Sequence, residues 1–357
     1  MKNNIKNIGT VFGDANAWKE LKNTIEKLNP SSIFIVVDEN TKNLCLPLFL
    51  KKNKDLFTFK ILEIPSGEIN KNIQTCLLLW SELSEKGADR NSLIINLGGG
   101  VITDLGGFVA STFKRGISFI NIPTTLLSMV DASVGGKNGV DLGVLKNQIG
   151  IINNPEMVLI DTSFLKTLDK NQLTSGYAEM LKHGLIYSKE YWNEIKAFNV
   201  FNISEIEEVL WKSVLIKNKV ITEDPFEKGI RKTLNYGHTL GHAIESYCLE
   251  NNKTETLLHG EAVAIGMILA SYISSKLVDL PAKQLEDISL NITKTYSKVI
   301  FDKIAVDAII QLLKYDKKNI NGKIMFVLLE EIGICRINQE VSNNLIHEAF
   351  DYYKNYK

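Results

Sequence analysis

The chain has 357 residues, 45% hydrophobic and 23% charged, which is a globular composition with enough length for two domains. Lysine plus arginine and aspartate plus glutamate both number 41, so the formal net charge is zero, against the basic footprint of a nucleic-acid-binding protein. The longest apolar run, residues 262–273, is too short to cross a bilayer and contains Gly266 and Ser271.

The N-terminus shows no apolar signal segment, and the four cysteines form no CxxC pair, so a reducing, cytoplasmic setting is expected. In chain order, Ser32–Val37 reads as a buried strand and Phe57–Ile64 as a second. Pro65 to Glu68 reads as a turn, and Asn70–Lys86 as a helix stopped by Gly87. Ser92–Leu97 is the next strand and runs directly into Gly98-Gly99-Gly100; Val101–Phe113 then reads as helix and Ile117–Ile122 as strand. Strands alternating with helices predict a doubly wound parallel sheet. Between residues 123 and 148 lies a long polar, glycine-rich segment, read as a functional loop.

From about Leu165 the pattern turns helical: Gln172–Tyr187, Ser204–Thr222, Ile230–Leu249 and Gly260–Leu277. A short hairpin at Lys323–Leu329 and Ile332–Ile337 is the exception. The expected organisation is an α/β, Rossmann-like domain over 1–164 and a mainly α-helical domain over 165–357.

Chemistry-bearing residues fall in both halves. Gly98-Gly99-Gly100 lies between a strand and a helix, where backbone N–H groups can meet a pyrophosphate; a tight structural turn is the alternative. Asp104 would repel a phosphate there but could accept from a ribose hydroxyl. Lys137, Lys146, Asn147 and Arg115 could meet a phosphate and hydroxyls, or each lysine could be an ordinary surface charge. His238 and His242 share one helical face, and His259 follows in Leu258-His259-Gly260-Glu261. Three histidines in a chain of five suit a divalent metal, with hydrogen-bonded core histidines as the alternative. Glu179 and Lys182 are either a surface i,i+3 pair or a carboxylate ligand beside a lysine.

Seven segments taken together carry a resemblance. They are Leu97–Leu105, Pro123–Leu127, Val130–Lys137, Leu145–Asn147, Ser175–Glu179, Leu234–His242 and Leu258–Ala262. In this order and spacing they resemble the 3-dehydroquinate synthase family of sugar-phosphate cyclases, whose architecture is similar to glycerol dehydrogenase. The resemblance implies an N-terminal NAD-binding α/β domain followed by an all-α metal-binding domain, with NAD and Zn2+ (or Co2+) as cofactors. It implies Glu179, His238 and His259 as metal ligands, with His242 facing substrate instead. NAD would be held by Ser66, Gly67, Glu68 and Lys71, by Gly99, Gly100, Val101, Thr103 and Asp104, by Thr124 and Thr125, and by Phe164, Leu165, Lys166 and Thr167, with Lys137 and Lys146 in reach. The sugar-phosphate substrate would meet Arg115, Asp131, Lys137, Lys146, Asn147, Lys182, Lys217, Arg231, Asn235, His242 and one of Lys317 and Lys318, with Lys317 preferred. Asn138 stands where the family more often has threonine, and position 107 is glycine.

The implied activity is that of a phosphate-eliminating carbon–oxygen lyase. It converts 3-deoxy-D-arabino-heptulosonate 7-phosphate to 3-dehydroquinate and phosphate by transient oxidation with NAD, β-elimination, re-reduction, ring opening and aldol closure. That is a step of the shikimate pathway to chorismate and the aromatic amino acids, in a cytoplasmic homodimer. Another sugar-phosphate cyclase would alter the substrate-side residues, a polyol dehydrogenase would have no use for the basic cage, and a scaffold protein would lack ligands or lysines.

Overall fold

A computed structural model of the chain describes residues 7–8, 10–53, 57–143, 145–251, 256–313 and 323–356. Lys317 and Lys318 lie outside them. The chain forms two compact units, one of Met1–Asp169 with Ile203–Asn218, the other of Lys170–Asn202 with Lys219–Lys357.

The strands of the first unit are β1 (Asn7–Ile8), β2 (Val11–Gly13), β3 (Ile33–Asp38), β4 (Lys60–Ile64), β5 (Leu93–Gly98), β6 (Ser118–Pro123), β7 (Lys137–Leu142), β8 (Leu145–Ile152) and β9 (Met157–Ile160). Seven of them make one sheet in the order β1-β2-β9-β6-β5-β3-β4, parallel throughout except for β1 against β2. The central strands are buried along their length, as Ile33–Val37 and Leu93–Leu97 show, because helices cover a parallel sheet. The helices here are α1 (Asp14–Leu28), α2 (Glu39–Leu44), α3 (Leu46–Lys52), α4 (Ile73–Glu85) and α5 (Gly100–Thr112). Phe34, Leu62, Ile94, Leu79, Leu83 and Leu105 join strands and helices in one core. Parallel strands end along a common edge, so Asp38, Ser66, Gly99, Thr124 and Asp161 all follow or close strands there.

The polar stretch expected as a loop is ordered differently. Ser128–Ala132 makes a π-type turn, and β7 and β8 then form an antiparallel ribbon. Gly, Asn and Lys have weak strand propensity, so pairing rather than propensity makes these strands. The two unusual residues noted above meet here. Asn138 donates to the carbonyls of Gly136 (2.9 Å) and Asn153 (2.7 Å), and a Cβ on Gly107 would stand 2.0 Å from its Oδ1.

The second unit holds α6 (Lys170–Tyr187), α7 (Lys189–Ile195), α9 (His238–Glu250), α10 (His259–Leu277), α11 (Ala282–Thr295), α12 (Lys303–Leu312) and α13 (Asn343–Asn355), while α8 (Ile206–Glu223) contributes residues to both units. β10 (Met325–Glu331) pairs with β11 (Ile334–Glu340), the hairpin expected among the helices. α10 packs on α6, α9, α11, α13 and β10, which accounts for its continuous apolar run. The helix expected over Ile230–Leu249 is interrupted. Ile230–Asn235 is a 3-10 segment, and α9 begins only at His238. Gly237 between them has φ 75°, and a Cβ there would lie 2.6 Å from Cγ of Met267. A left-handed residue against a neighbouring helix calls for glycine and breaks the run.

Candidate active site

In the first unit the expected nucleotide residues sit at the carboxyl edge of the sheet. Gly99 precedes α5 in extended conformation, with no side chain capping the helix. The first N–H groups of such a helix attract anions. Side chains at Gly98 and Gly99 would collide with Ile102 and Thr125, at 2.5 and 2.9 Å, so this approach is reserved for backbone. Thr124 is buried just beyond β6. Thr162–Thr167 forms a 3-10 segment after β9 in which Phe164 and Leu165 are buried, Lys166 is exposed, and Thr167 Oγ1 lies 3.6 Å from Cys45 Sγ.

Six side chains along this edge form one network. Lys71 donates to Asp104 Oδ2 (2.6 Å) and to Asn147 Oδ1 (2.7 Å). Lys146 donates to Glu68 (2.8 Å) and Asp141 (3.3 Å), and Asp141 Oδ1 accepts from the Asn147 backbone N–H at 2.6 Å. Asn147 is left-handed, with φ 51°. Three carboxylates thus surround two ammonium groups. Burial alone would lower the Lys71 pKa, but Asp104, Glu68 and Asp141 outweigh it and raise it. Burial raises the pKa of Asp104 and of Asp141 despite the lysines. Surplus carboxylate oxygens suit hydroxyl groups rather than phosphate. Elsewhere in the unit the Lys217 ammonium meets the carboxylate and carbonyl of Asp131, while Arg115 and Lys137 are exposed.

In the second unit Glu179 and Lys182 are not a surface pair. Their side chains are 0% and 1% exposed and form an ion pair. Neither Glu179 oxygen has a hydrogen bond, and Oε1 faces Nε2 of His238 at 3.4 Å and of His259 at 3.6 Å. His238 Nδ1 lies 3.1 Å from the Tyr236 carbonyl, and His259 Nδ1 lies 3.0 Å from Glu245 Oε2. Both partners only accept, so each Nδ1 carries a proton and each ring turns its Nε2 toward Glu179, where a bound metal would displace any proton on Nε2 and take its lone pair. A carboxylate without hydrogen bonds and two such nitrogens are the donor set of a divalent metal, so the residues fit one. Burial lowers the His238 pKa, against the pull of Glu179. Burial also opposes charge on His259, but Glu245 and Glu179 prevail and raise its pKa to about 10. Burial would raise the Glu179 pKa, yet Lys182 and His238 hold it well below the usual carboxylate range.

The ring nitrogens of His238, His242 and His259 also come within 4.8 Å of one another, so the face shared by His238 and His242 does converge on His259. α10 reaches α6 because position 260 is glycine: a Cβ would stand 1.9 Å from the Ser175 carbonyl oxygen, and the Gly260 N–H donates to Ser175 Oγ at 3.0 Å. Arg231 is buried, and its Nη1 donates to the Pro225 carbonyl. Asn235 donates to Glu227 at 2.6 Å, and Glu227 itself is left-handed, with φ 57°. Asp141, Glu227 and Glu245 were not singled out in the sequence. For Glu245 the available signal was its place seven residues after His238 and three after His242.

Comparisons with known proteins follow this geometry. The 3-dehydroquinate synthase N-terminal family matches residues 61–175 and the corresponding C-terminal family residues 176–319. A 3-dehydroquinate synthase of Parabacteroides distasonis is 44% identical over 340 residues, covering 94% of this chain and 95% of that protein. Among solved structures, the 2-epi-5-epi-valiolone synthase of Streptomyces hygroscopicus subsp. jinggangensis, with NAD+ and Zn2+ bound, superposes with a TM-score of 0.86 at 25% identity over 99% of both chains. A probable glycerol dehydrogenase from Sinorhizobium meliloti shares the fold at a TM-score of 0.60 and 11% identity, covering 97% of this chain and 98% of that one. The chain belongs to the 3-dehydroquinate synthase family.

Proposed function

We propose that this chain converts 3-deoxy-D-arabino-heptulosonate 7-phosphate to 3-dehydroquinate and phosphate, with NAD and a zinc or cobalt ion as cofactors. The observation that carries the reading is the buried Glu179 carboxylate, without hydrogen bonds and faced by Nε2 of His238 and His259. These three would hold the metal, and the glycine turn, the Ser66–Lys71 turn, Thr124, Thr125 and the 164–167 segment would hold NAD. Bound there, the metal supplies Lewis acidity and NAD a hydride acceptor that is also the later donor.

The chain's own residues bind and orient. Glu68, Asp104 and Asp141 offer acceptors to hydroxyl groups, and Lys71 and Lys146 pair with those carboxylates. Arg115, Lys137, Lys146, Lys182, Lys217 and Arg231, with Asn147, Asn235 and His242, would cage a phosphate and several hydroxyls as a cationic and polar set. Lys317 belongs to the same proposed set and lies outside the described residues. Such a cage holds one ring conformer, so orientation supplies much of the rate. It also stabilises the departing phosphate dianion, which can take the proton in elimination, so few protein acids or bases are needed. His242, one turn from His238 on α9, would face the substrate and pass a proton to its oxygen.

We also propose a cytoplasmic homodimer. Among the described residues no helix is long and apolar enough to cross a membrane. Leu142, Ile151 and Ile152 leave apolar surface exposed on the β7–β8 ribbon, which favours association. The test is phosphate release from the heptulosonate phosphate in the presence of NAD and zinc. Release is expected; no release, together with lasting NADH formation from a simple polyol, would sink the reading in favour of a dehydrogenase.

A further inference from the structure

We propose that Glu245 is the positioning residue of the metal centre, fixing the tautomer and orientation of His259 so that its Nε2 is held toward Glu179. The inference rests on the metal site proposed above and names a residue outside its donor set.

Glu245 is buried, with its side chain 5% exposed, and its Oε2 lies 3.0 Å from Nδ1 of His259. A carboxylate is not left in an interior without a partner that justifies its desolvation. His238, His242 and Glu245 occupy positions i, i+4 and i+7 of α9, one stripe of one helix. The same helix therefore presents one histidine to Glu179 and a carboxylate to the other.

His259 needs that support more than His238 does. Both histidines open their helices, but the His259 side chain is 26% exposed against 9% for His238. Packing thus holds His238 in place, and the Tyr236 carbonyl suffices for its Nδ1–H. For His259 the Glu245 contact closes the arrangement carboxylate, imidazole, Glu179. An anionic acceptor on Nδ1–H also makes Nε2 a stronger donor than a neutral carbonyl does.

The test titrates zinc alone into the metal-free full chain against a chromophoric chelator. It compares wild type, Glu245→Gln, Glu245→Ala and His259→Ala, and each metal-free protein is also melted. Glu245→Gln keeps the shape and one acceptor but loses the charge, so zinc should bind about tenfold more weakly; Glu245→Ala should lose about a hundredfold. Metal-free Glu245→Gln should still melt cooperatively, at a lower temperature because it loses the ion pair with His259, and a merely structural role for the charge would leave the zinc affinity of the folded protein unchanged. Zinc affinity unchanged in Glu245→Gln and Glu245→Ala would overturn the proposal while leaving the site intact. Unchanged affinity in His259→Ala, or no zinc binding by wild type, would instead overturn the metal site and Glu245's role with it.

Discussion

Glu179 is the residue on which the proposed metal site turns. It is fully buried, ion-paired with Lys182 on its own helix, and without a hydrogen bond at either oxygen. Removing one member of a donor set costs metal, whereas removing a neighbour costs chemistry. Glu179→Ala and His259→Ala are therefore each expected to lose bound zinc, measured by elemental analysis after gel filtration. His242→Ala should keep its metal and slow turnover roughly a hundredfold. A metal-free His242→Ala protein would support the three-histidine set in place of the set with Glu179. Spacing alone could pair His238 with His242, because helical period is visible in sequence. It could not choose Glu179 over His242, because that choice depends on which atoms three separate helices bring together. The burial of the Glu179–Lys182 pair was illegible for the same reason, since an i,i+3 pair reads alike on a surface or in a core.

At the scale of elements, the α/β alternation and the buried α10 could be read from periodicity and apolar runs. The break at Gly237 could not, because the neighbour that leaves no room for a side chain there, Met267 on α10, is far along the chain. Nor could the β7–β8 ribbon, whose strands mix Gly, Asn, Asp and Lys with their apolar residues. That ribbon matters because it carries Lys146 and Asn147 and holds them through Asp141. It contacts α5 at one crowded point, where Asn138 fits because Gly107 has no side chain. Gly107→Ala should cost about 1–3 kcal/mol by overpacking, read from urea unfolding. In an Asn138→Thr background the same substitution should cost less, with a coupling of more than about 0.5 kcal/mol in the double-mutant cycle. Additive costs would mean that the two positions do not share the contact.

For the whole molecule, zero net charge argues against a nucleic-acid footprint and no apolar run is long enough to cross a bilayer, but no sum over the chain identifies a substrate. That came from seven short segments read together, and the family matches across 61–319 agree with them. Each unit carries a part of the chemistry: a sheet edge with a glycine turn and surplus carboxylates in one, and a carboxylate with two oriented imidazoles in the other. Together they suit oxidation of a bound alcohol, with or without its reversal in the same cycle. A dehydrogenase with the same fold would consume NAD in proportion to product; a cyclising lyase returns it. The direct measurement supplies the chain with zinc, excess heptulosonate phosphate and NAD no more than equimolar with the enzyme, and follows phosphate, 3-dehydroquinate and NADH together. Phosphate and 3-dehydroquinate should rise equally, far beyond the NAD present, with no net NADH. Product that stops at one equivalent of NAD, or NADH that accumulates in step with it, would contradict the account.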